Sequence, residues 1–247
     1  MRISFSNDMS RIGALEGPLN RKCCEDRSRA QPTEHVMGRL WVFGIAIYVP
    51  CASALNDCLH RIRLALVPAC KSRPHVTVVP AGPLVVDLET AHERLRALSE
   101  RTEPFDIELG KVHSFPDGSA IYIDLASGSD KLSRLHDVLR TELGQPHEQF
   151  EYLAHVTIGQ SHELRNQNIS SSEKLGRNLW GGFTGSRRFR AEYVTLCQLG
   201  QLPVTSSELQ CGMLRSWQLS KSRPGYVNCW IDVESYRLSG DPPATAS

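Results

Sequence analysis

The sequence predicts an α+β domain that is bilobal, with pseudo-twofold duplicated antiparallel sheets, helices outside and a central cleft. Two observations predict it. From Leu40 to residue 220, short apolar, β-branched runs alternate with segments of helical spacing, and hairpin turns are mixed in. The order strand, helix, His-Val-Thr strand also occurs twice, at 40–80 and at 119–160, which a duplicated lobe explains most simply.

Taken in order, residues 40–50 form an apolar run ended by Pro50 and read as a buried strand. Ser53 can cap a helix carrying Leu55, Leu59, Ile62 and Leu66, which ends before Pro68. Residues 74–80 are a short strand between two prolines. A helix starts near Asp87, with Leu88, Ala91, Leu95 and Leu98 on one face. The strands 105–115 and 119–127 flank Pro116-Asp117-Gly118 and read as a hairpin. Ser129 can cap a third helix with Leu132, Leu135, Leu139 and Leu143, and 154–160 is the second His-Val-Thr strand. The polar stretch 161–178 reads as a weak helix and loop, 189–200 as one strand, and 214–220 as the last strand of the domain. Residues 1–36 lack periodicity and read as a disordered extension, with Met37 as an alternative first residue. The domain is placed at 37–221, and 222–247 is set apart as a C-terminal tail holding one ambiguous apolar piece.

Composition narrows the function classes. With 40 % apolar and 22 % charged residues, the chain has enough apolar material for a packed core. A net charge of +1 excludes a protein that grips nucleic acid by bulk field alone, though not a local basic cleft. The apolar run at 40–51 is too short to span a bilayer and is broken by Gly44 and Pro50. Asp8, Glu16, Glu25 and Asp26 are acids that a transit peptide avoids. The cysteines (Cys23, Cys24, Cys51, Cys58, Cys70, Cys197, Cys211 and Cys229) show no CxxC or zinc-ribbon spacing. They read as reduced thiols of a cytoplasmic protein. No metal site, cofactor or membrane partner is expected, and the protein is expected to be a monomer.

The chemistry lies in a repeated tetrapeptide, His75-Val76-Thr77-Val78 and His155-Val156-Thr157-Ile158. In a strand, residues two apart share a face. Each histidine therefore points with its threonine, and the intervening valine points away. Two such strands facing one cleft suit phosphodiester cleavage. A neutral imidazole takes a proton from water, while a protonated one gives a proton to the leaving alkoxide. The threonine hydroxyls can donate to the non-bridging phosphate oxygens as charge builds there.

These paired motifs, their strand context and their separation resemble the 2H phosphoesterase superfamily, and within it the branch of 2′-5′ RNA ligases and cyclic nucleotide phosphodiesterases. The resemblance covers about 40–220. It implies a bilobal fold and hydrolysis of 2′,3′-cyclic or 2′-5′ phosphodiesters, on RNA ends or small cyclic nucleotides. His75 and His155 match the acid/base positions and Thr77 and Thr157 the phosphate-binding ones. The resemblance also implies His155 as base and His75 as acid. Gln160 stands where some relatives carry a basic residue. Two readings stay beside hydrolysis: ligation by the reverse reaction, and a catalytically silent RNA- or nucleotide-binding module.

Outside the motifs, residues 176–190 interleave arginines with aromatics, so Arg187, Arg188 and Trp180 are candidates for an RNA-binding loop. The plainer reading is a connector whose Trp packs on the core. Tyr122 and Tyr152 are candidates to line a base pocket, and the plainer reading of both is a core or rim residue. Of the remaining histidines, His113 lies nearest a strand end that can reach the cleft.

Overall fold

A computed structural model gives the fold. The structure describes residues 42–68, 70, 72–145, 151–161, 163–164, 168–203 and 226–240, with the side chains at 199–203 and 226–229 excepted. The N-terminal extension and the strand expected at 214–220 lie outside the described residues.

The elements run β1 (Val42–Tyr48), α1 (Ala54–Leu66), β2 (His75–Pro83), α2 (Leu88–Arg101), β3 (Phe105–Ser114), β4 (Ala120–Ser127), α3 (Ser129–Glu142), β5 (Val156–Gln160), α4 (Ile169–Gly181), β6 (Arg188–Ala191), β7 (Tyr193–Pro203) and β8 (Tyr226–Arg237). The strands form one antiparallel sheet in the order β6-β3-β4-β5-β2-β1-β7-β8. Its two halves, β6-β3-β4-β5 and β2-β1-β7-β8, meet at the single register pair Val76↔Val156. The expected duplication is visible here. β1-α1-β2 and β4-α3-β5 are the two copies, and their His-Val-Thr strands lie side by side at the centre.

Local chemistry explains most boundaries. The Ser53 and Asp87 side chains accept from the backbone N–H groups of Asn56 and Thr90, capping α1 and α2 as their sequences predict. The β3–β4 hairpin turns at Gly118, whose φ is +69°. The third helix differs: its cap is Gly128 at φ +90°, not Ser129. A Cβ at Gly128 would also stand 2.8 Å from the Asp106 carbonyl oxygen, so glycine alone fits there.

Two strand assignments are corrected. The segment 189–200 is not one strand. It breaks at Glu192 into β6, which pairs with β3, and β7, which pairs with β1 and β8. The apolar phase slips at the break, from Phe189 and Ala191 to Val194 and Leu196, with Tyr193 exposed between them. Beyond the expected domain end at 221, β8 is joined to β7 from Tyr193↔Arg237 to Pro203↔Tyr226. Asp232 and Glu234 interrupt its apolar pattern, and both side chains are taken by ion pairs with Arg73, and with His92 and Arg96.

The helices bury the sheet face to which Val76, Val78, Val156 and Ile158 point, all at 0 % exposure. Each such side chain contributes roughly 1.5–3 kcal/mol. The packing interlocks the copies, since α1 lies on β5 and α3 on β2. From α3, the buried His136 donates through Nδ1 to the Val78 carbonyl (2.7 Å) and stacks on Tyr152, with ring centroids 4.1 Å apart. Tyr152 donates its hydroxyl to the Thr77 carbonyl (2.7 Å). Side chains thus satisfy β2 carbonyls beside the narrow β2–β5 joint. Tyr152→Phe is expected to cost about 1 kcal/mol and His136→Leu about 1–3 kcal/mol, because each leaves a β2 carbonyl short of a partner. Urea midpoints at unchanged slope measure this. Parent-like midpoints in both variants would mean that the clamp does not hold the joint.

Candidate active site

The pair Val76↔Val156 determines the site. Counting outward in an antiparallel register, His75 lies opposite Thr157 and Thr77 opposite His155. All four side chains share the face away from the helices, and all four are half-buried while the valines between them are fully buried. The two histidines stand diagonally across one strand pair, where Cβ atoms are about 7–8 Å apart and long side chains converge.

Both imidazoles are held by the same device. His75 Nδ1 donates to the Arg73 carbonyl and His155 Nδ1 to the Leu153 carbonyl, each at 2.7 Å and each two residues back. A carbonyl can only accept, so Nδ1 carries the proton in both rings and Nε2 is left for chemistry. His155 Nε2 lies 3.1 Å from Thr157 Oγ1.

The surroundings of the two rings differ. The edge of Tyr48 meets His75, with centroids 5.7 Å apart. The Arg73 guanidinium lies 3.9 Å over the Tyr48 ring and pairs with Asp232 at 2.8 Å. Tyr48 donates its hydroxyl to the same carboxylate at 2.7 Å and lies 3.3 Å from the buried Cys197 Sγ. Burial raises the Tyr48 hydroxyl far above its ordinary value and pushes the Cys197 thiol up to about 12, so neither is a nucleophile near neutrality. Around His155 stand Tyr122 and Phe115, with centroids at 5.1 and 5.3 Å. Beyond them His113 donates from Nε2 to Asp124 at 3.0 Å. Burial lowers both imidazoles. His75 is pushed down to about 4 by burial first and then by the charge of Arg63, and His155 falls below 6.5 through burial.

Arg187, Arg188 and Trp180 are not brought to this face as a loop. Trp180 is 3 % exposed, donates to the Gly110 carbonyl at 2.8 Å and stacks on Phe183. Arg187 caps the Trp180 ring at 4.6 Å, and Arg188 pairs with Glu108 at 2.8 Å. The Trp180 ring is thus buried, with Phe183 and Arg187 against it. The sequence reading missed Arg63, Arg73, Tyr48 and Asp232. A signal existed for Arg63: position 63 falls on the apolar stripe of α1, between Ile62 and Leu66.

Among the described residues, no three of His, Cys, Asp and Glu come together as a metal-binding group, and no helix is long and apolar enough to cross a membrane. Cys51, Cys58, Cys70 and Cys197 are free thiols.

The fold has known counterparts. A protein of Thermus thermophilus, TT0787, superposes with a TM-score of 0.54 at 13 % identity, over 81 % of this chain and 100 % of that one. A structure described as a phosphoesterase superposes at 0.52 and 12 % identity, over 81 % and 99 %. None of the curated proteins matches the sequence. The pattern of the 2′-5′ RNA ligase superfamily matches residues 50–181, more than half of the chain. The chain therefore belongs to the 2′-5′ RNA ligase superfamily, within the 2H phosphoesterases, as its paired motifs suggest. Phosphodiesterase or ligase chemistry is the class of activity this family supports.

Proposed function

We propose that this protein is a metal-independent phosphodiesterase acting on 2′,3′-cyclic or 2′-5′ phosphodiesters of RNA ends or small nucleotides. The observation that supports the reading is the Val76↔Val156 pairing, from which two imidazoles and two hydroxyls share one face of adjacent strands. The Nε2 atoms of His75 and His155 form the acid/base pair, and the Thr77 and Thr157 hydroxyls donate to the non-bridging oxygens. One imidazole accepts the proton of the attacking water and the other protonates the departing sugar oxygen, so both protons are handled by side chains.

A panel of 2′,3′-cyclic mononucleotides, RNA with a 2′,3′-cyclic end and 2′-5′ linked dinucleotides, run in EDTA, tests this. Turnover of at least one class at a rate unchanged by chelation is expected. Activity that is lost in EDTA and restored by Mg²⁺ or Zn²⁺ would replace the mechanism with a metal-assisted one. Binding without turnover of any class would leave a silent binding module.

The pH dependence follows from the two lowered imidazoles. The one with the lower pKa is neutral and the other protonated only between the two values. The kcat/KM profile is therefore expected to be bell-shaped, with an acid limb near the His75 value of about 4 and an alkaline limb drawn down from the ordinary imidazole range by the burial of His155. A profile still rising at pH 8 would show that these imidazoles do not govern the rate.

A further inference from the structure

We propose that Arg63 is a positioning residue that fixes His75 as the proton acceptor of the pair and leaves His155 as the proton donor. This rests on the two-histidine reading above and adds the polarity of the pair.

Arg63 is out of place by ordinary rules. It lies on the apolar stripe of α1 at 5 % exposure, where a buried charge normally has a carboxylate partner. Four less buried arginines of this chain have one: Arg73 with Asp232, Arg101 with Glu142, Arg177 with Glu173 and Arg188 with Glu108. Arg63 has none among the described residues. Its Nη1 donates to the Arg73 carbonyl at 3.3 Å, and its buried Nε has no partner among the described residues. A leucine would fill this stripe at lower cost, so the cation needs another explanation.

That explanation lies in the shared acceptor. The Arg73 carbonyl takes Arg63 Nη1 on one side and His75 Nδ1, at 2.7 Å, on the other. Arg63 thereby holds the oxygen that holds the ring, and Nε2 keeps its lone pair toward the open face. The charge acts in the same direction. The groups that act on His75 are the Tyr48 ring of β1, by contact, and Arg63 of α1, Arg73 just before β2 and His155 of β5, by charge. The Asp232 carboxylate of β8 is turned to Arg73 and Tyr48, beside Cys197 of β7. Both guanidinium groups oppose a second proton on His75. His155 is ringed instead by Phe115, Tyr122 and Thr157, with no guanidinium acting on it. With guanidinium charge gathered at His75 alone, the donor's role falls to His155, the reverse of the assignment that the family resemblance implies.

In the opening of a cyclic phosphate, the water oxygen forms the new bond to phosphorus as the bond from phosphorus to one sugar oxygen breaks. The water proton passes to His75 Nε2, and the proton on His155 Nε2 passes to the departing oxygen. Exchange with solvent restores both rings.

The test is an NMR titration of the imidazole carbons, with His75 and His155 assigned by the single substitutions His75→Gln and His155→Gln. Arg63→Met keeps an apolar stem and deletes the charge, so the His75 midpoint is expected to rise by about one pH unit while that of His155 stays. Arg63→Lys is expected to keep the His75 midpoint near the parent value. An unmoved His75 midpoint in Arg63→Met would make Arg63 a packing residue and end the proposal; Arg63→Gln serves if Arg63→Met does not fold. The titration needs no substrate, so it decides the role of Arg63 even if the substrate panel shows no turnover. The polarity has its own arm. An aryl phosphodiester, bis(p-nitrophenyl) phosphate, hardly needs a proton donor. It is expected to rescue His155→Ala and not His75→Ala. Rescue of His75→Ala alone would reverse the polarity and overturn the proposal.

Discussion

Replacing either His75 or His155 by alanine is expected to lower kcat by roughly 10²–10⁴, the usual worth of one positioned acid or base. The fall should appear in kcat more than in KM, because each imidazole acts on a proton that moves only as the bond changes. Both rings lie on the open face of adjacent strands, half-buried, and each forms its one backbone hydrogen bond to a carbonyl two residues away. Alanine therefore leaves the core untouched, and the urea midpoint should stay close to the parent value. The double substitution should cost much less than the product of the two single losses, since the donor is of little use without the acceptor. Steady-state kinetics on the best substrate of the panel measures all three variants. Full activity in either single variant would end the two-histidine mechanism.

Thr77→Ala and Thr157→Ala are each expected to cost about 10²–10³ in kcat, by analogy with a lost oxyanion donor. The register puts each hydroxyl opposite the other strand's histidine, which is where the phosphate oxygens lie if both Nε2 atoms reach the same phosphorus. Thr157 is also within 3.1 Å of His155 Nε2, so its loss frees that ring, and its pH profile should shift as well as its rate. Thr77 has no such contact with His75 and should change the rate alone. Thr→Ser variants, which keep the hydroxyl, should recover most of the activity. If Ser behaves like Ala at both positions, the methyl group and not the donor is what the site uses.

The parts of this fold that follow local rules were legible in the sequence. Ser53 and Asp87 cap helices because their side chains reach backbone N–H groups three residues on, a contact that needs nothing distant. The His-Val-Thr strands were legible because the period of two separates a polar face from a valine face in any half-covered sheet. What escaped depends on partners far along the chain. The break at Glu192 leaves only a one-residue slip of the apolar phase at Tyr193-Val194, because β6 and β7 abut in sequence while pairing with different strands. β8 hides its strand character behind Asp232 and Glu234, whose partners are Arg73, His92 and Arg96. Arg188 looks like a hand for phosphate until the neighbouring strand supplies Glu108, and Arg190 until it supplies Asp106. Arg63 escaped for the opposite reason: a charge within a helix reads as its wet face, although its place on the apolar stripe of α1 marks it as covered.

The passage from β6 through Glu192 to β7 has a consequence for how the chain is made. β3, β4, β5 and β6 are consecutive, so that half of the sheet can assemble as soon as residue 191 has left the ribosome. The half that begins with β1 must wait, because its outer neighbours, β7 and β8, follow the other described strands in the chain. Until then β1 presents a bare edge of unpaired N–H and C=O groups, the kind that recruits a second nascent chain. Pairing so distant in sequence also slows folding. Aggregation during expression should therefore depend on how fast β7 and β8 emerge, and a circular permutant that starts at β7 would bring β1 its neighbour first.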